Sequence, residues 1–374
     1  MLTVSVIIPV FNAEVWLAQC LDALRRSNVA PLECIVVDDA CDDASASTAQ
    51  AAGAAVLRRR YRRGPASARN FGAAHARGDI LLFVDADICV HPDTIGRVIE
   101  RFEADAGLDA LIGSYDDAPA APGFVSQYKN LLQHYVHQHG REQAATFWAG
   151  CGAIRREIFL AAGGFDESYT RPSIEDIELG HRLRAAGRRI ALDPSVLVKH
   201  LKRWTFASMV RSDIFDRALP WTRLIVRSSR LPDDLNLAVS QRLSASLLLL
   251  ALVLAAAGLV APPLALSALP PVAAVLYLNR RLYGFLAGRR GWLFALRAAP
   301  LHLLYFTYSA AAFGAGVILY SCRGRERDTA ADANLSASRQ AIGPHDGGAL
   351  QPPAAARHSR RDLPAPAGRT TASV

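Results

Sequence analysis

No two of the six cysteines stand in a C-x-x-C arrangement; Cys20, Cys34, Cys41, Cys89, Cys151 and Cys322 are scattered singly. That removes the common zinc and redox frameworks and leaves small apolar fillers in a reducing compartment as their expected role. A secretory leader is not expected, because Met1-Leu2-Thr3 runs straight into a strand-like segment without a basic n-region. The N-terminal part is accordingly expected in the cytoplasm. No solenoid-type repeat is apparent. The net charge of +8 could suggest nucleic acid, yet no nucleic-acid-binding motif accompanies it and the basic residues gather beside apolar runs. A membrane surface is therefore the expected partner, and nucleic acid is not.

What the chain has in excess is apolar sequence late in its 374 residues, at 51% hydrophobic overall. Runs at 243–260, 264–279 and 301–320 are nearly free of charge. The first and third reach the length of about 18–20 residues that spans a bilayer. The second is short and separated from the first by Ala261-Pro262-Pro263, so two or three transmembrane helices are expected. Arg211, Arg217, Arg223, Arg227, Arg230 and Arg242 precede the first run, and Arg280, Arg281, Arg289, Arg290 and Arg297 follow the second. Arginines are retained on the cytoplasmic side and attract anionic headgroups, so a multi-pass protein of the inner or plasma membrane with a cytoplasmic N-terminal domain is expected. The expected organisation is a catalytic domain at 1–205, a basic juxtamembrane segment at 206–242, spans within 243–322, and a disordered tail at 323–374 rich in Ala, Pro, Gly, Ser and Arg.

Strand-like and helix-like segments alternate through the first hundred residues. Val4 to Pro9, Glu33 to Val37, Ala55 to Leu57 and Ile80 to Val84 read as strands, with helices over about 17–26, 45–52 and 67–75 between them. This pattern predicts an α/β sandwich with a largely parallel sheet, whose ligands collect beyond the carboxyl ends of the strands. Pro9, Asp38, Asp39, Asp85 and Asp87 all fall at such ends. Asp85-Ala86-Asp87 places two carboxylates one residue apart where a buried strand surfaces. Because magnesium is held by one or two carboxylates plus substrate phosphates, the triplet suits a metal–diphosphate complex.

Taken in order, Val6-Ile7-Ile8-Pro9-Val10-Phe11-Asn12-Ala13-Glu14, Val36-Val37-Asp38-Asp39-Ala40-Cys41-Asp42-Asp43, Ala68-Arg69-Asn70-Phe71-Gly72 and Phe83-Val84-Asp85-Ala86-Asp87 resemble glycosyltransferase family 2. Gly163-Gly164-Phe165-Asp166-Glu167 and Glu175-Asp176-Ile177-Glu178-Leu179 look like that family's acceptor-side segment, and the resemblance covers roughly residues 2–205. Ala40-Cys41 departs from the family's usual Gly-Ser. The resemblance implies a GT-A fold, a Rossmann-like and mostly parallel sheet sandwich, here followed by C-terminal transmembrane helices. It further implies inverting transfer from a nucleoside diphosphate sugar, UDP-linked in preference to GDP-linked, with Mg2+ or Mn2+ as cofactor.

On this resemblance Pro9, Phe11, Asn12, Glu14, Asp38, Asp39, Arg69, Asn70 and Asp85 belong to the donor side, with Asp39 at the nucleobase and Asp85 at the ribose or a metal-bound water. Arg69 and Asn70 either reach the diphosphate or hold the loop, and Arg69 could equally be an exposed helical residue. Asp87, with Asp85, would hold the metal. Asp176 matches the family's base, which takes the acceptor proton as the hydroxyl attacks, with Glu175 beside it. His200-Leu201-Lys202-Arg203-Trp204 has the spacing of the Q/R-x-x-R-W motif of membrane glycosyltransferases, with histidine first, so His200 becomes a candidate metal or diphosphate ligand. Arg203 and Trp204 fall on the acceptor side, where Trp204 could equally be an interfacial anchor. Trp148 and Gly150 resemble the loop under the acceptor. His134, His137 and His139 lack cysteines or carboxylates at ligand spacing and are expected on a helix surface. A lipid or lipid-linked glycan is the expected acceptor; the alternatives are glycan elongation and a non-catalytic sugar-nucleotide-binding scaffold.

Overall fold

The structure is a computed structural model that describes residues 1–228 and 238–341. Residues 1–322 form one compact unit, so the expected boundary at 205/206 falls inside it. Arg230 and part of the expected juxtamembrane segment lie outside the described residues.

Eight strands make one sheet: β1 Val4–Val10, β2 Glu33–Asp38, β3 Ala55–Arg58, β4 Ile80–Val84, β5 Ile88–Val90, β6 Ala110–Tyr115, β7 Cys151–Arg155 and β8 Ile190–His200. Their order is β3-β2-β1-β4-β7-β6-β8-β5. Pairs β1–β2, β1–β4, β2–β3 and β6–β8 are parallel, whereas β4–β7, β6–β7 and β5–β8 are antiparallel. The expected parallel sheet thus holds for the first four strands, and the half beyond β4 is mixed.

The alternation of side chains along a strand sorts the core into two layers. Val6, Ile8, Val36, Leu82 and Val84 face one way, onto Leu17, Cys20, Leu21 and Leu24 of helix Glu14–Arg25. Ile7, Ile35, Val37, Leu81 and Phe83 face the other way, onto Phe147, Phe159, Phe165, Leu179 and Leu183. Both faces being covered explains why β4 is uninterrupted Ile-Leu-Leu-Phe-Val, with all five residues buried. Its chain emerges at Asp85, so the carboxylates that follow are set by the deepest strand of the sheet.

Ala40 takes φ +65°, a left-handed conformation that usually belongs to glycine. Cys41 repeats a serine's work: its Sγ accepts from the Asn12 amide at 3.3 Å and donates to the Val10 carbonyl at 3.5 Å. The Ala-Cys pair therefore preserves a tight turn at the cost of local strain. Ala40→Gly should raise stability by about 0.5–1 kcal/mol, because the steric cost of an L-residue at αL slightly exceeds glycine's extra chain entropy. A thermal unfolding midpoint no higher than wild type would contradict this.

After β8 the chain enters helix Phe206–Arg211, a π-helix at Ser212–Ala218 and helix Leu219–Ser228. Two helices are long and apolar enough to cross a membrane, Val239–Ala257 and Trp292–Ser321. The middle run does not form a third. It breaks into Pro263–Leu266 and Leu269–Leu278, too short to span, because Pro262, Pro263, Pro270 and Pro271 interrupt the backbone hydrogen-bond ladder. Helix continues to Ala341, through the first nineteen residues of the expected tail, which contain no proline and only one glycine. Residues 342–374 lie outside the described residues.

Candidate active site

The carboxyl ends of the strands open on a cavity of about 310 Å³. Asp85, Asp87, Glu175, Asp176, His200 and Trp204 all line it, with Arg69 and Trp148. Residues from five separate stretches of sequence thus converge.

Arg69 ties the halves together. It is 5% exposed; Nη2 donates to Asp85 Oδ1 at 2.7 Å and Nη1 to Glu175 Oε1 at 2.9 Å. Glu175 Oε2 in turn accepts from the Ser173 amide at 2.8 Å. Charge-assisted bonds of this kind are the strong ones, and here they join the strand that carries Asp85 to the helix that begins at Glu175. Of the three sequence readings for Arg69, holding the structure is the one the geometry carries. Asn70 does likewise: Nδ2 donates to the Phe165 carbonyl at 2.9 Å and Oδ1 accepts from the Phe165 amide at 2.8 Å. It latches the loop at Phe165, in line with the second of its two expected readings. Gly164 lies under this latch, at φ +69°, where an added Cβ would stand 2.5 Å from Asn70 Oδ1.

Asp176 opens helix Glu175–Ala185. Oδ2 accepts from the Ala149 amide at 3.1 Å and Oδ1 from the Ile177 amide at 2.8 Å. Burial, then the Glu175 carboxylate beside it, holds its proton up to about 7 despite those bonds and Arg69. A carboxyl poised near neutrality suits general-base work. Asp85 is also pushed up, by burial first and by Asp87, against the pull of Arg69. Asp87 goes the other way: burial opposes ionisation, but His200 and Lys202 outweigh it and lower the proton affinity.

His200 is 6% exposed and stacks on Tyr115 at 4.7 Å between ring centroids. Its Nδ1 donates to Asn130 Oδ1 at 2.7 Å, and Nε2 lies 3.5 Å from Asp87 Oδ2. Asn130 is itself fixed by the Ser126 carbonyl at 3.0 Å. An imidazole anchored through Nδ1 by a side-chain amide is how proteins orient a metal-binding histidine. The expected trio of Asp85, Asp87 and His200 does not converge, however. Asp85 is taken by Arg69, and among the described residues no group of three His, Cys, Asp or Glu side chains could hold a metal. Asp87 and His200 remain as a two-ligand set, which fits a hard cation whose other ligands are phosphate oxygens and water.

The carboxylates expected at the nucleobase are turned inward. Asp39, 3% exposed, accepts from the Arg63 amide at 3.0 Å and from the Gly64 amide at 2.7 Å, bracing the start of helix Pro65–His75. Asp38 accepts from the Cys41 amide at 2.7 Å. Asn12 Oδ1 accepts from the Asp42 amide at 2.8 Å, and the Glu14 amide donates to Asp43 at 3.0 Å. Phe11 is covered by the Arg62 guanidinium at 3.7 Å, and Pro9 pairs with Val37 in the sheet. Together they shape a loop around the end of β1.

On the acceptor side Trp148 meets Tyr115 edge-on at 4.8 Å and His137 at 5.1 Å. A Cβ on Gly150 would stand 2.7 Å from the Trp148 ring, so only glycine lets that indole fold back. Trp204 is 7% exposed, with Nε1 buried and unpartnered, and Lys202 lies over its ring at 4.4 Å. It lines the cavity and packs in the core instead of anchoring an interface. Arg203 is exposed and does not line the cavity, so its expected acceptor role is not carried.

His134 and His137 correct another expectation, because both are buried. Burial pushes His137 down to about 4, and the neutral ring donates from Nδ1 to the Gly113 carbonyl at 3.0 Å while Gln133 approaches Nε2 at 2.7 Å. Ser126, Asn130, Gln133 and His137 follow helical spacing in helix Phe124–Gln138, a polar stripe that could have been read from the sequence. The π-helix, which brings Ser212, Asp216 and Arg217 to the cavity, left no such signal.

Residues 5–161 match the family model "Glycosyl transferase family 2". A pre-mycofactocin glycosyltransferase of Mycobacterium tuberculosis is 33% identical over 218 residues, covering 53% of this chain and 42% of that protein. An undecaprenyl-phosphate 4-deoxy-4-formamido-L-arabinose transferase of Pseudomonas paraeruginosa is 38% identical over 125 residues, 30% of this chain and 35% of the relative. The matches span about half the length, or less, of such curated relatives. Among solved structures, a mannosyltransferase from Pyrobaculum calidifontis in complex with GDP-Man and Mn2+ gives a TM-score of 0.50 at 19% identity, covering 85% of this chain and 87% of its own, which speaks to the fold. Residues 5–161 thus match the family 2 glycosyltransferases, within a chain that has the GT-A fold.

Proposed function

We propose that the protein transfers a sugar, with inversion, from a nucleoside diphosphate sugar to a lipid-linked acceptor at the cytoplasmic face of a membrane. One observation carries the reading: Asp176, with its proton held near neutrality, lines the same cavity as Asp85, Asp87 and His200. The acceptor oxygen attacks the anomeric carbon as its proton passes to Asp176. The bond from that carbon to the β-phosphate breaks, and the diphosphate leaves with the electron pair on the opposite face. Asp87 and His200 would hold Mg2+ or Mn2+, whose charge stabilises the departing diphosphate. Asp85, fixed by Arg69, stands beside them at the ribose side. Trp148 and Trp204 offer faces for the acceptor sugar.

The lipid part rests on the two apolar helices that belong to the same compact unit as the cavity. Their exposed leucines, among them Leu249, Leu250 and Leu252, suit a hydrocarbon surround. The name of the Pseudomonas relative, an undecaprenyl-phosphate transferase, points the same way.

Radiolabelled UDP-sugars, then GDP-sugars, incubated with the full chain and extracted membrane lipids should move label into the organic phase when Mg2+ or Mn2+ is present. Asp87→Ala should weaken metal-dependent binding of the nucleoside diphosphate by roughly 10- to 100-fold, the usual loss when a ligand sphere is broken. Label confined to soluble glycan would sink the lipid acceptor, and unchanged binding in Asp87→Ala would sink the metal assignment.

A further inference from the structure

A second cavity, about 490 Å³, adjoins the first. It is bounded by Ala245 and Leu249 of the Val239–Ala257 helix, by Phe306, Ala310 and Phe313 of the Trp292–Ser321 helix, and by Ile225. The two cavities share four lining residues: Lys129, Gln133, Arg217 and Trp221. An apolar chamber between the two candidate spans therefore meets the polar cleft at a ring of cations and donors.

That junction holds more donor capacity than the protein uses. Arg217 has no hydrogen-bond or ion-pair partner among the described residues, although it is only partly exposed. The Trp221 indole Nε1 is buried without a partner, as is that of Trp204, which is 7% exposed and lines the cleft. Lys129, 8% exposed, is engaged by Asp213, whose other oxygen accepts from Tyr308 at 2.8 Å. Asp213 is thereby committed to Lys129 and Tyr308, and no carboxylate is bonded to Arg217. The guanidinium comes from the π-helix, a rare geometry that recurs at functional sites.

We propose that Arg217, with the Trp221 indole N–H and the Lys129 ammonium, holds the phosphate of a lipid phosphate whose hydrocarbon chain fills the apolar cavity. The inference rests on the lipid-linked acceptor reading and narrows it to an acceptor that carries an anionic phosphate between chain and sugar. With the phosphate at the junction, the next group along the molecule enters the cleft that Asp176 lines. Charge complementarity favours an anionic occupant: a phosphate gives the Arg217 guanidinium the charge-assisted bond that no carboxylate makes with it, and a neutral lipid does not.

The test is equilibrium binding of radiolabelled dodecyl phosphate to the full chain in digitonin, with no sugar nucleotide present. Dodecyl phosphate should bind wild type, unlabelled dodecanol should compete at least roughly tenfold less well, and inorganic phosphate should not compete at millimolar concentration. Arg217→Ala should weaken dodecyl phosphate roughly tenfold or more, as expected for losing a charge-assisted bond, without altering dodecanol competition, while Arg217→Lys should recover part of the loss. Equal binding by Arg217→Ala and wild type would overturn the proposal. So would dodecanol competing as well as dodecyl phosphate, or inorganic phosphate displacing it. Because no donor is present, such a failure leaves sugar transfer standing; a wild type that binds dodecyl phosphate but transfers no sugar to any lipid fails the other reading alone.

Discussion

Asp176→Asn should abolish sugar transfer by about 10²–10⁴-fold while leaving donor binding near wild type, since the amide keeps the shape and an acceptor oxygen for the Ala149 amide but cannot take a proton. In the wild type, kcat/KM should rise with pH through about 7, as the Asp176 proton leaves and the base becomes competent. The same group sets a stability trend of opposite sign. Folding raises its pKa from an ordinary carboxylate's 3.8 to about 7, so between about pH 4 and 7 the native state binds the extra proton, and stability falls as pH rises through that window. Asp176→Asn, which has no proton to titrate, should lack that part of the pH dependence of the unfolding temperature. Transfer by Asp176→Asn at the wild-type rate would remove Asp176 as the base.

Arg69→Met should be the most damaging substitution for the fold. It strips the partner from the Glu175 carboxylate, which is 4% exposed, and from Asp85 at the cavity rim, with a cost of about 3–5 kcal/mol as for breaking any buried pair. Arg69→Met with Glu175→Gln should recover much of that stability, because the uncompensated buried charge goes with its partner. It should not recover transfer, since Asp85 stays unanchored. Chemical denaturation compares the three proteins, and a single mutant as stable as wild type would show that the bridge contributes nothing.

The carboxylates that line the cavity were legible because their places are fixed locally. Asp85 and Asp87 follow a strand that is buried on both faces, and Asp176 lies in the first turn of a helix after a recognisable segment. What surrounds them was not, because it depends on partners distant in sequence. Asn70 and Asp39 look like ligand contacts until the backbone amides of Phe165, Arg63 and Gly64 arrive to occupy them. Arg69 could be weighed only as diphosphate ligand, loop holder or surface residue until Glu175, 106 positions away, met it. His134 and His137 were read as surface groups because their polar stripe faces the back of the cleft, where carbonyls of β6 satisfy them. Prolines decided the middle apolar run: it has the composition of a span and the backbone of two short turns of helix.

Lys129 belongs to the catalytic half of the chain, Asp213 to the segment after it, and Tyr308 to an apolar helix nearly a hundred residues further on. Helix Phe124–Gln138 buries Tyr128 and Leu131 against Leu282, Leu286 and Ala298. The sheet with its cavity and the two long apolar helices thus belong to one compact unit. A fragment ending at residue 205 would present a bare ammonium and an uncovered aromatic face where the apolar helices had been, and the part of the cavity wall that Ser212, Asp216, Arg217 and Trp221 supply would be missing.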